Sequence, residues 1–362
     1  PWGEKTKASA ERHYIALMAS IDPFGVNNEM GPVIEADNIG VKHHGKKFMR
    51  DRFEQSAVRL LKNIFRLGLF ENPYLDPQES ADIVGNPEFM QEGYNAQLNS
   101  VVMLNNKDNL LPIKETKTVY IPEIFTPSVK DWWGIWSKPS LQFPAYPELV
   151  KKYYNITDYP SKADFAIVFI SVPYTNNDGG GYSKVDRAEG GNGYVPITLQ
   201  YGTYTAVDAR EHSIAAGDPV VDPAITNRSY KNKTVTASNT MDLTTVLNTK
   251  EMMGDKPVIV VVNLSRGMVF NEFEDKADGI LARFSVGEQA ILDIISGKSE
   301  PSGLLPMQMP ANMSAVEKQY EDVPFDMECH QDTEGHIYNF GYGLNWKGVI
   351  KDARTDKYGI NN

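Results

Sequence analysis

Cysteine is almost absent from this sequence, because Cys329 is the single cysteine among 362 residues. A disulfide needs two thiols, and a thiolate metal site needs several, so neither can form within the chain. The cysteine content therefore excludes a disulfide-stabilised scaffold and leaves the redox compartment open.

Basic residues are also fewer than acidic ones. The 36 Lys and Arg residues are outnumbered by 47 Asp and Glu residues, which gives a formal net charge of −11 and a pI of about 5.1. Nucleic acids and anionic membranes select basic surfaces, so this charge argues against both as partners. The sequence also lacks any run approaching the ~18 apolar residues of a membrane-spanning helix. A neutral ligand such as a sugar is compatible with this composition.

The length and the apolar content describe a globular protein with room for two domains. Apolar residues make up 41% of the chain and charged residues 23%, which is close to the average of folded domains. A chain of 362 residues is long for one domain, since single domains commonly hold ~100–150 residues. We therefore expect two buried cores.

The first hundred residues are predicted to be mainly helical. Residues 12–21 are typical of a helix that runs into an apolar, strand-like segment at 16–21. Residues 46–66 have a clear amphipathic pattern, and Gly68 is well placed to end that helix. The apolar positions of this helix fall on one face, which we expect to be buried against other elements: Phe53, Ala57, Leu60, Leu61 and Ile64.

From residue 71 onward the pattern changes to a linker and then to alternating helices and strands. The linker, with scattered Pro and Asp, covers 71–87, and a helix is predicted at 87–100. Short apolar runs rich in β-branched residues predict four buried strands: 119–121, 165–172, 258–264 and 280–284. Because long intervals or helical patterns separate these runs, they indicate a parallel α/β sheet covered on both faces.

The interval between the second and third predicted strands, 173–257, is the strongest candidate for a ligand site. It contains Gly-rich turns at 179–181 and 190–193, and an irregular segment of this length usually has a function. Ligands of open α/β sheets bind beyond the carboxyl ends of strands, where this interval begins. Its tyrosines and carboxylates are Tyr174, Tyr182, Tyr194, Tyr201, Tyr204, Asp178, Asp186, Glu189, Asp208 and Glu211.

Simpler interpretations compete with a functional one for several of these features. Gly-rich turns can hold phosphate, but no P-loop pattern is present and 190–193 does not join a strand to a helix, so ordinary turns are favoured. A single loop carboxylate is more often a solvated charge than a catalytic group. Trp132, Trp133 and Trp136 are able to stack on sugar rings, but a hydrophobic cover is the commoner role of such a group.

Two short pairs of potential metal ligands occur, His43-His44 and Cys329-His330. Neither pair has the i, i+4 spacing or the further ligands of a convincing metal site. The sequence therefore predicts no metal centre.

Four segments carry a recognisable pattern. Residues 59–73 end in RLGLFENP, and residues 99–112 run from NSVVMLNN to LLP. Residues 297–306 end in PSGLLP, and residues 340–344 are FGYGL. In their order and spacing these segments resemble the C-terminal portion of glycoside hydrolase family 3, the β-glucosidase and β-xylosidase family.

The resemblance implies a fold and a domain order. It implies an α/β/α sandwich with a mainly parallel sheet, preceded by the last elements of a (β/α)8-like barrel, with the active site between the two domains. Applied to this chain, residues 1–70 are the barrel remnant, 71–98 a linker and connecting helix, 99–348 the sandwich and 349–362 a tail. The partner of this chain would be the missing N-terminal barrel segment of the same protein.

The resemblance also implies a mechanism. Family members retain the anomeric configuration and use two carboxyl groups, without a metal or an organic cofactor. The family's nucleophile is an aspartate in an SDW-like motif that is absent here, so we expect it upstream of this chain. Its acid is commonly a glutamate after the second sandwich strand, where this sequence has Asn176, Asn177 and Asp178. Asp178 and Glu189 are therefore both candidates for the acid, and Asp178 is ranked first.

Four further residues of the same interval are expected to bind the substrate. Asp186 and Arg187 are expected to pair with each other or to hydrogen-bond sugar hydroxyls. Tyr174 and Tyr182 are expected to line the wall that holds the sugar.

The sequence thus predicts an exo-acting β-glucosidase-type enzyme that releases a terminal sugar from an oligosaccharide or an aryl glucoside. The alternative is a non-catalytic α/β module that binds sugar or protein. The enzyme is expected to be periplasmic or secreted, and a homodimer is compatible with the sequence.

Overall fold

The computed structural model describes residues 7–25, 29–128, 135–175, 198–209, 231–320 and 323–357. Two compact units make up the chain: residues 1–89 with 212–227, and residues 90–211 with 228–362. The second unit contains every strand of the described residues. No helix in these ranges is both long enough and apolar enough to cross a membrane.

The first unit is helical in its described residues. Its helices are α1 (Ser9–Met18), α2 (Gly31–His44), α3 (Lys46–Arg66) and α4 (Pro77–Ile83). α1 packs on α2, and α2 packs on α3. The strand-like segment predicted at 16–21 is wrong, because α1 continues to Met18 and Ile21 is exposed. A strand needs a neighbour for its backbone hydrogen bonds, and the described residues of this unit offer none, so the segment satisfies its own bonds as a helix.

Helix α3 confirms the amphipathic prediction over 46–66, including its end. Gly68 adopts a φ of 65°, a left-handed conformation that favours glycine. Its N–H donates to Phe65 O at 3.0 Å, and the N–H of Leu69 donates to Ile64 O at 3.1 Å. These two bonds form a Schellman motif, which satisfies carbonyls that the helix end would otherwise leave unpaired.

The face of α3 that the sequence predicts to be buried is not covered among the described residues, and its burial against elements outside this chain stays a prediction. Leu60 and Leu61 are exposed, whereas Met49, Arg52 and Ser56 are buried. The buried face is held by polar contacts, since Arg52 donates to Leu17 O at 2.9 Å and to Asp22 Oδ1 at 3.0 Å. Within this unit the apolar stripe has no covering element among the described residues, so only the side facing α1 and α2 is shielded from solvent.

The second unit begins within α5 (Pro87–Ser100), which confirms the predicted helix at 87–100. The further helices are α6 (Pro147–Val150), α7 (Thr240–Met253), α8 (Glu288–Ile295), α9 (Met313–Lys318) and α10 (Ala353–Lys357). The strands are β1 (Val102–Asn106), β2 (Thr118–Tyr120), β3 (Ile124–Thr126), β4 (Ser140–Gln142), β5 (Asn155–Ile156), β6 (Phe165–Ser171), β7 (Tyr204–Thr205), β8 (Thr234–Val235), β9 (Val258–Asn263), β10 (Gly279–Arg283), β11 (Leu344–Asn345) and β12 (Gly348–Val349).

Eight of these strands form one sheet in the order β12-β11-β1-β10-β9-β6-β2-β5. From β10 to β5 the neighbours are parallel, so the four predicted strands and their parallel arrangement are confirmed. β1 pairs antiparallel with both β10 and β11. The apolar runs did not predict this antiparallel part of the sheet. The result is a mixed, mainly parallel α/β sandwich.

The core of the second unit lies on both faces of the central strands. β6 and β9 are buried over nearly their whole length, and α7 packs against both. Strands covered on both faces are continuously apolar instead of alternating, which is why these runs were recognisable in the sequence.

The interval 173–257 is more regular than expected. It contains α7, the helix that crosses from β6 back to β9, and β7 pairs with β8 within it. The prediction of one long irregular insertion is therefore wrong for these parts. A parallel connection needs a crossover, and a helix is its usual form.

Two glycines of the recognised segments occupy positions where a side chain does not fit. A Cβ on Gly303 would overlap the carbonyl oxygen of Val101, and a Cβ on Gly343 would overlap the carbonyl oxygen of Gly303. Both obstacles are backbone atoms, and Val101 O also accepts the Gly303 N–H at 3.1 Å. These glycines allow three backbone segments to approach each other closely.

We therefore expect Gly303→Ala to lower the free energy of unfolding by about 3 kcal/mol, the scale of an overpacked core. The matched control is Gly93→Ala in α5, where nothing lies within 4 Å of the added Cβ. The control should be neutral or stabilising by ~0.5–1 kcal/mol. Urea unfolding measures both variants, and equal stabilities for the two would contradict the argument.

Candidate functional site

The carboxyl ends of β6, β9 and β10 lie at one edge of the sheet, because these strands are parallel neighbours. Sites of parallel α/β sheets form outside this edge. The chain leaves β6 through residues Ser171–Tyr174, here called the β6 exit. Residues 176–197, which the sequence predicts to carry the acid, follow the β6 exit after Thr175 and lie outside the described residues.

The backbone of the β6 exit is hydrogen-bonded at every N–H and C=O group. Three backbone N–H groups donate: Ser171 N to Asp242 Oδ2, Val172 N to Asn263 O and Tyr174 N to Asn239 Oδ1. Four carbonyls accept: Ser171 O from Tyr201 Oη, Val172 O from Asn239 Nδ2, Pro173 O from Arg266 Nη2 and Tyr174 O from Ser238 N. Buried backbone groups must be paired, and here the pairing comes from several distant segments. The β6 exit therefore has a single, well-defined path.

Asn239 is the centre of this network. Its Oδ1 accepts from Tyr174 N at 3.0 Å, and its Nδ2 donates to Val172 O at 3.1 Å and to Asp242 Oδ2 at 3.0 Å. The residue is only 2% exposed and directly precedes α7. Its side chain makes no capping bond to that helix, because its amide is engaged by the β6 exit instead.

Asp242 is a buried carboxyl, 5% exposed, in the first turn of α7. Its Oδ2 accepts both Ser171 N at 2.9 Å and Asn239 Nδ2 at 3.0 Å. Burial raises the pKa of Asp242 to about 6, although these two bonds oppose the shift by stabilising the charged form. The carboxylate thus carries a charge that is costly to bury at neutral pH.

We expect Asp242→Asn to stabilise the protein near pH 7, because an amide oxygen can accept the same two bonds without the charge. In the parent, folding raises the pKa of Asp242 from 3.8 to about 6. Between these two pH values the folded state therefore binds more protons than the unfolded state. Stability therefore falls as the pH rises through this window, by about 3 kcal/mol in total. Urea unfolding between pH 4 and 7 should give a flatter profile for Asp242→Asn than for the parent.

The control for this experiment is Asp255→Asn, since Asp255 is exposed just beyond α7. Its profile should follow that of the parent. If Asp242→Asn also follows the parent across this range, burial of the carboxyl does not cost what its environment indicates.

A second carboxylate fixes the segment that returns to the β6 exit. Glu272 accepts Tyr201 N at 2.6 Å and Gly202 N at 2.7 Å. Tyr201 is fully buried, and its hydroxyl donates to Ser171 O at 2.5 Å. Residues 198–209 are therefore tied to the edge of the sheet at the position where β6 ends.

A third carboxyl group, that of the buried Glu317 in α9, lies against the same segment. Its Oε2 accepts from Tyr204 Oη at 2.7 Å and from Asp208 N at 3.0 Å. Its Oε1 is buried without a hydrogen-bond partner. Burial raises the pKa of Glu317, and the bond from Tyr204 opposes the shift.

Of the predicted site residues, the structure describes only Tyr174. It lies half-buried at the β6 exit, where Asn239 and Ser238 hold its backbone. The other predicted residues lie at 176–197, outside the described residues: Asp178, Tyr182, Asp186, Arg187 and Glu189. Trp132 and Trp133 are likewise outside them. The proposed roles of all these side chains remain predictions.

Neither pair of potential metal ligands gathers a site in the described part of the chain. His43 and His44 are exposed at the end of α2, and the His44 ring bonds the Tyr14 hydroxyl at 2.8 Å. The Cys329 thiol contacts Gln308 Nε2 at 3.1 Å, and burial raises the thiol pKa. Among the described residues, neither pair belongs to a group of three metal-ligating side chains.

Sequence reasoning missed the residues that organise this edge, namely Asn239, Asp242, Glu272 and Glu317. Asn239 and Asp242 do carry a local signal, since such residues are frequent at the start of a helix. That signal indicates a helix cap. It does not indicate a contact with the β6 exit, where Tyr174 lies 65 positions before Asn239. Glu272 and Glu317 have no comparable local signal.

Comparison with known proteins gives consistent results. A family model described as the glycosyl hydrolase family 3 C-terminal domain matches residues 101–346. The chain is 28% identical over 347 residues to the probable beta-glucosidase C of Aspergillus flavus, covering 95% of this chain and 42% of that protein. It is 23% identical over 344 residues to the periplasmic beta-glucosidase/beta-xylosidase of Dickeya chrysanthemi, covering 95% of this chain and 41% of that protein. The chain thus spans less than half the length of these relatives.

Solved structures share the fold. The exo-1,3/1,4-beta-glucanase of a Pseudoalteromonas species aligns with 94% of this chain and 39% of its own, with a TM-score of 0.53 and 16% identity. The beta-glucosidase of Listeria innocua in complex with isofagomine aligns with 93% of this chain and 44% of its own, with a TM-score of 0.52 and 17% identity. At these low sequence identities, the structural similarity shows a shared fold only.

Proposed function

This chain belongs to glycoside hydrolase family 3, and from that premise we propose that the protein to which it contributes is an exo-acting β-glucosidase-type enzyme that removes a terminal sugar with retention. The observation that carries the proposal is the match of the family's C-terminal domain over residues 101–346. The relatives are named beta-glucosidases and beta-xylosidases, which supports a substrate with a terminal β-glucosyl or β-xylosyl unit.

The chemistry that we propose divides between two parts of the protein. Glycoside hydrolysis with retention needs one carboxylate as nucleophile and a second carboxyl group as acid and then base. We assign the nucleophile to an aspartate outside this chain, and the acid to Asp178 or Glu189. Asp186, Arg187, Tyr174 and Tyr182 would bind the sugar, without a metal or an organic cofactor in the reaction.

The geometry of the β6 exit supports this assignment of the acid to the segment that follows it. A general acid must be held within hydrogen-bond reach of the glycosidic oxygen, and placement errors are costly in rate. The segment 176–197 begins one residue beyond the β6 exit, whose backbone is fixed at every polar group. Its opposite end continues into residues 198–209, which Glu272 holds.

The location that we propose is the periplasm or the exterior of the cell. Two of the relatives are named periplasmic beta-glucosidases.

A panel of p-nitrophenyl glycosides tested with the full-length protein decides the proposed function. We expect the highest kcat/KM on the β-glucoside, with the β-xyloside lower by about 10–100-fold, because a missing hydroxymethyl group changes binding by ~1–3 kcal/mol. Proton NMR of the first product should show the β-anomer before mutarotation. Turnover of none of the glycosides would favour the non-catalytic binding module, and initial release of the α-anomer would contradict retention.

A further inference from the structure

Phe325 is an exposed aromatic residue with a backbone conformation that is unusual for a bulky side chain. It is 61% exposed, and its φ is 61°. Residues other than glycine rarely adopt a positive φ, and for a bulky residue such a value is an outlier that costs free energy. An apolar ring left in water is a second unfavourable contribution. Since the fold gains little from either, Phe325 is a candidate for a functional contact.

The chain on both sides of this residue fixes its conformation. Residues 323–327 are here called the Phe325 loop. Before the loop, the Tyr320 N–H donates to Asp326 Oδ2 at 2.6 Å. After it, the Ala311 N–H donates to Glu328 O at 2.9 Å. A strained residue persists only where its surroundings determine it, so these bonds hold the ring at a defined place on the surface.

A second ring orients Phe325 without covering it. The rings of Phe325 and Phe340 have their centroids 5.9 Å apart and their planes inclined by 67°. Such an edge-to-face arrangement is favourable for two aromatic rings. Phe340 is half-buried, whereas Phe325 stays mostly in solvent, so the ring of Phe325 remains accessible to a ligand.

Gln308 connects this aromatic pair to the side of the sheet where the parallel strands have their carboxyl ends. Its Nε2 donates to Asn339 Oδ1 at 3.0 Å, and the same oxygen accepts the Phe340 N–H at 2.8 Å. The backbone oxygen of Gln308 would lie 3.3 Å from a Cβ at Gly267, shortly after β9 ends. Ligands of parallel α/β sheets bind on this side.

The chain around the aromatic pair is acidic. Between residues 319 and 346 the sequence has no Lys or Arg, whereas Asp and Glu recur, and Asp326 beside Phe325 is exposed. This charge disfavours an anionic ligand, and it also disfavours a second copy of this chain, whose net charge is −11. A neutral ligand is favoured whose hydroxyl groups can donate to carboxylates.

We propose that Phe325 is a stacking platform for a glucose ring of a neutral, β-linked oligosaccharide. The hydroxyl groups of a β-glucosyl ring are equatorial, so its faces present C–H groups, which the negative face of an aromatic ring attracts. Asp326 binds the Tyr320 N–H through Oδ2, which leaves Oδ1 to accept a sugar hydroxyl. The inference rests on the proposed function and adds to it a binding site for a sugar unit beyond the terminal one.

Native gels that contain a soluble, neutral β-glucan test this binding with the full-length protein. The glucan should retard the parent, and Phe325→Ala should raise the dissociation constant about tenfold, the scale of one aromatic contact. Phe325→Tyr should bind as the parent does, because it keeps the ring. Retardation should be the same at low and at high salt, since the ligand carries no charge.

Kinetics and thermal unfolding separate a binding role from a structural one. In Phe325→Ala the KM for cellotetraose should rise about tenfold with little change in kcat, because the platform binds the ground state and the transition state alike. Phe325→Gly should weaken binding equally, but it should melt about 2–5 °C above Phe325→Ala, since a positive φ costs glycine nothing. A merely structural ring would change Tm and leave the affinity for glucan unaltered.

Tyr159→Ala is the matched control, because Tyr159 is 60% exposed elsewhere in the second unit and has an ordinary φ of −111°. It should bind glucan as the parent does. Equal retardation of the parent and Phe325→Ala would overturn the proposal, and so would a parent that the glucan does not retard. If Phe325→Ala instead converted a dimer into a monomer at unchanged affinity for glucan, the aromatic pair would be a contact between two copies.

The nitrophenyl panel distinguishes failure of this inference from failure of the proposed function. Retardation that depends on Phe325, together with no turnover of any glycoside, would contradict the enzyme and retain the platform. Turnover of the β-glucoside with retardation that does not depend on Phe325 would contradict the platform alone.

Discussion

The isolated 362-residue chain should hydrolyse p-nitrophenyl β-glucoside at least ~10^5-fold more slowly than the full-length protein, the scale of a lost nucleophile. The proposed acid on 176–197 can protonate a leaving group, but retention also needs a carboxylate that attacks the anomeric carbon. No Ser-Asp-Trp triplet is present in this sequence. The measurement is release of nitrophenolate by protein purified from a host without β-glucosidase activity.

Folding of the isolated chain must be established before that result is interpreted. The sheet of the second unit has an extensive core, so circular dichroism should show cooperative unfolding. The exposed apolar stripe of α3, with Leu60 47% exposed and Leu61 40% exposed, should weaken the first unit, since each large apolar side chain left in water forgoes ~1.5–3 kcal/mol. Adding the separately produced N-terminal segment should restore part of the activity. Rapid turnover by the pure chain alone would show that its nucleophile lies within residues 1–362.

Removing the catalytic acid from the full-length protein should lower kcat/KM for cellobiose by about 10^2–10^4-fold, the usual contribution of general acid–base catalysis. Asp178→Ala and Glu189→Gln are the two variants, and we expect the large effect from Asp178→Ala. Activated aryl glucosides need little help from an acid, because their leaving groups are stable anions. Their turnover should fall much less, and azide should partly restore it by attacking the glycosyl-enzyme intermediate.

Asp186→Asn is the matched control, because Asp186 lies in the same segment with a proposed role in sugar binding. It should raise KM for all substrates without a dependence on the leaving group. If Asp178→Ala and Glu189→Gln each leave cellobiose hydrolysis within about twofold of the parent, neither residue is the acid. The proposed function would survive that outcome if the nitrophenyl panel still shows a retaining glucosidase.

The sequence predicted well those elements whose signal is local. Helix α3 was recognisable from the 3.6-residue repeat of its apolar side chains, and its end from Gly68. β6 and β9 were recognisable because strands covered on both faces are continuously apolar. Short strands near the edge of the sheet such as β11 and β12, with two residues each, leave no such pattern.

Which face of an element is covered was not determined locally. The repeat in α3 shows that its apolar residues share a face. It does not show which other element, if any, packs against that face. The described structure instead shields Arg52 and Ser56. Their polar groups are satisfied by Asp22, which is 30 positions from Arg52, a contact that only the packing of the helices reveals.

The sequence by itself determined that this is an acidic, globular α/β chain without disulfides, with a parallel sheet and the segments of a known family. Only the tertiary structure decided how the β6 exit is held and that Phe325 lies exposed beside Phe340. The contacts of the β6 exit join residues as far apart as Pro173 and Arg266, 93 positions along the chain. Helical and strand periodicity arises from neighbours within a few residues. The contacts of the β6 exit depend instead on which strand ends lie next to each other in the folded sheet. Composition and spacing do not encode that arrangement.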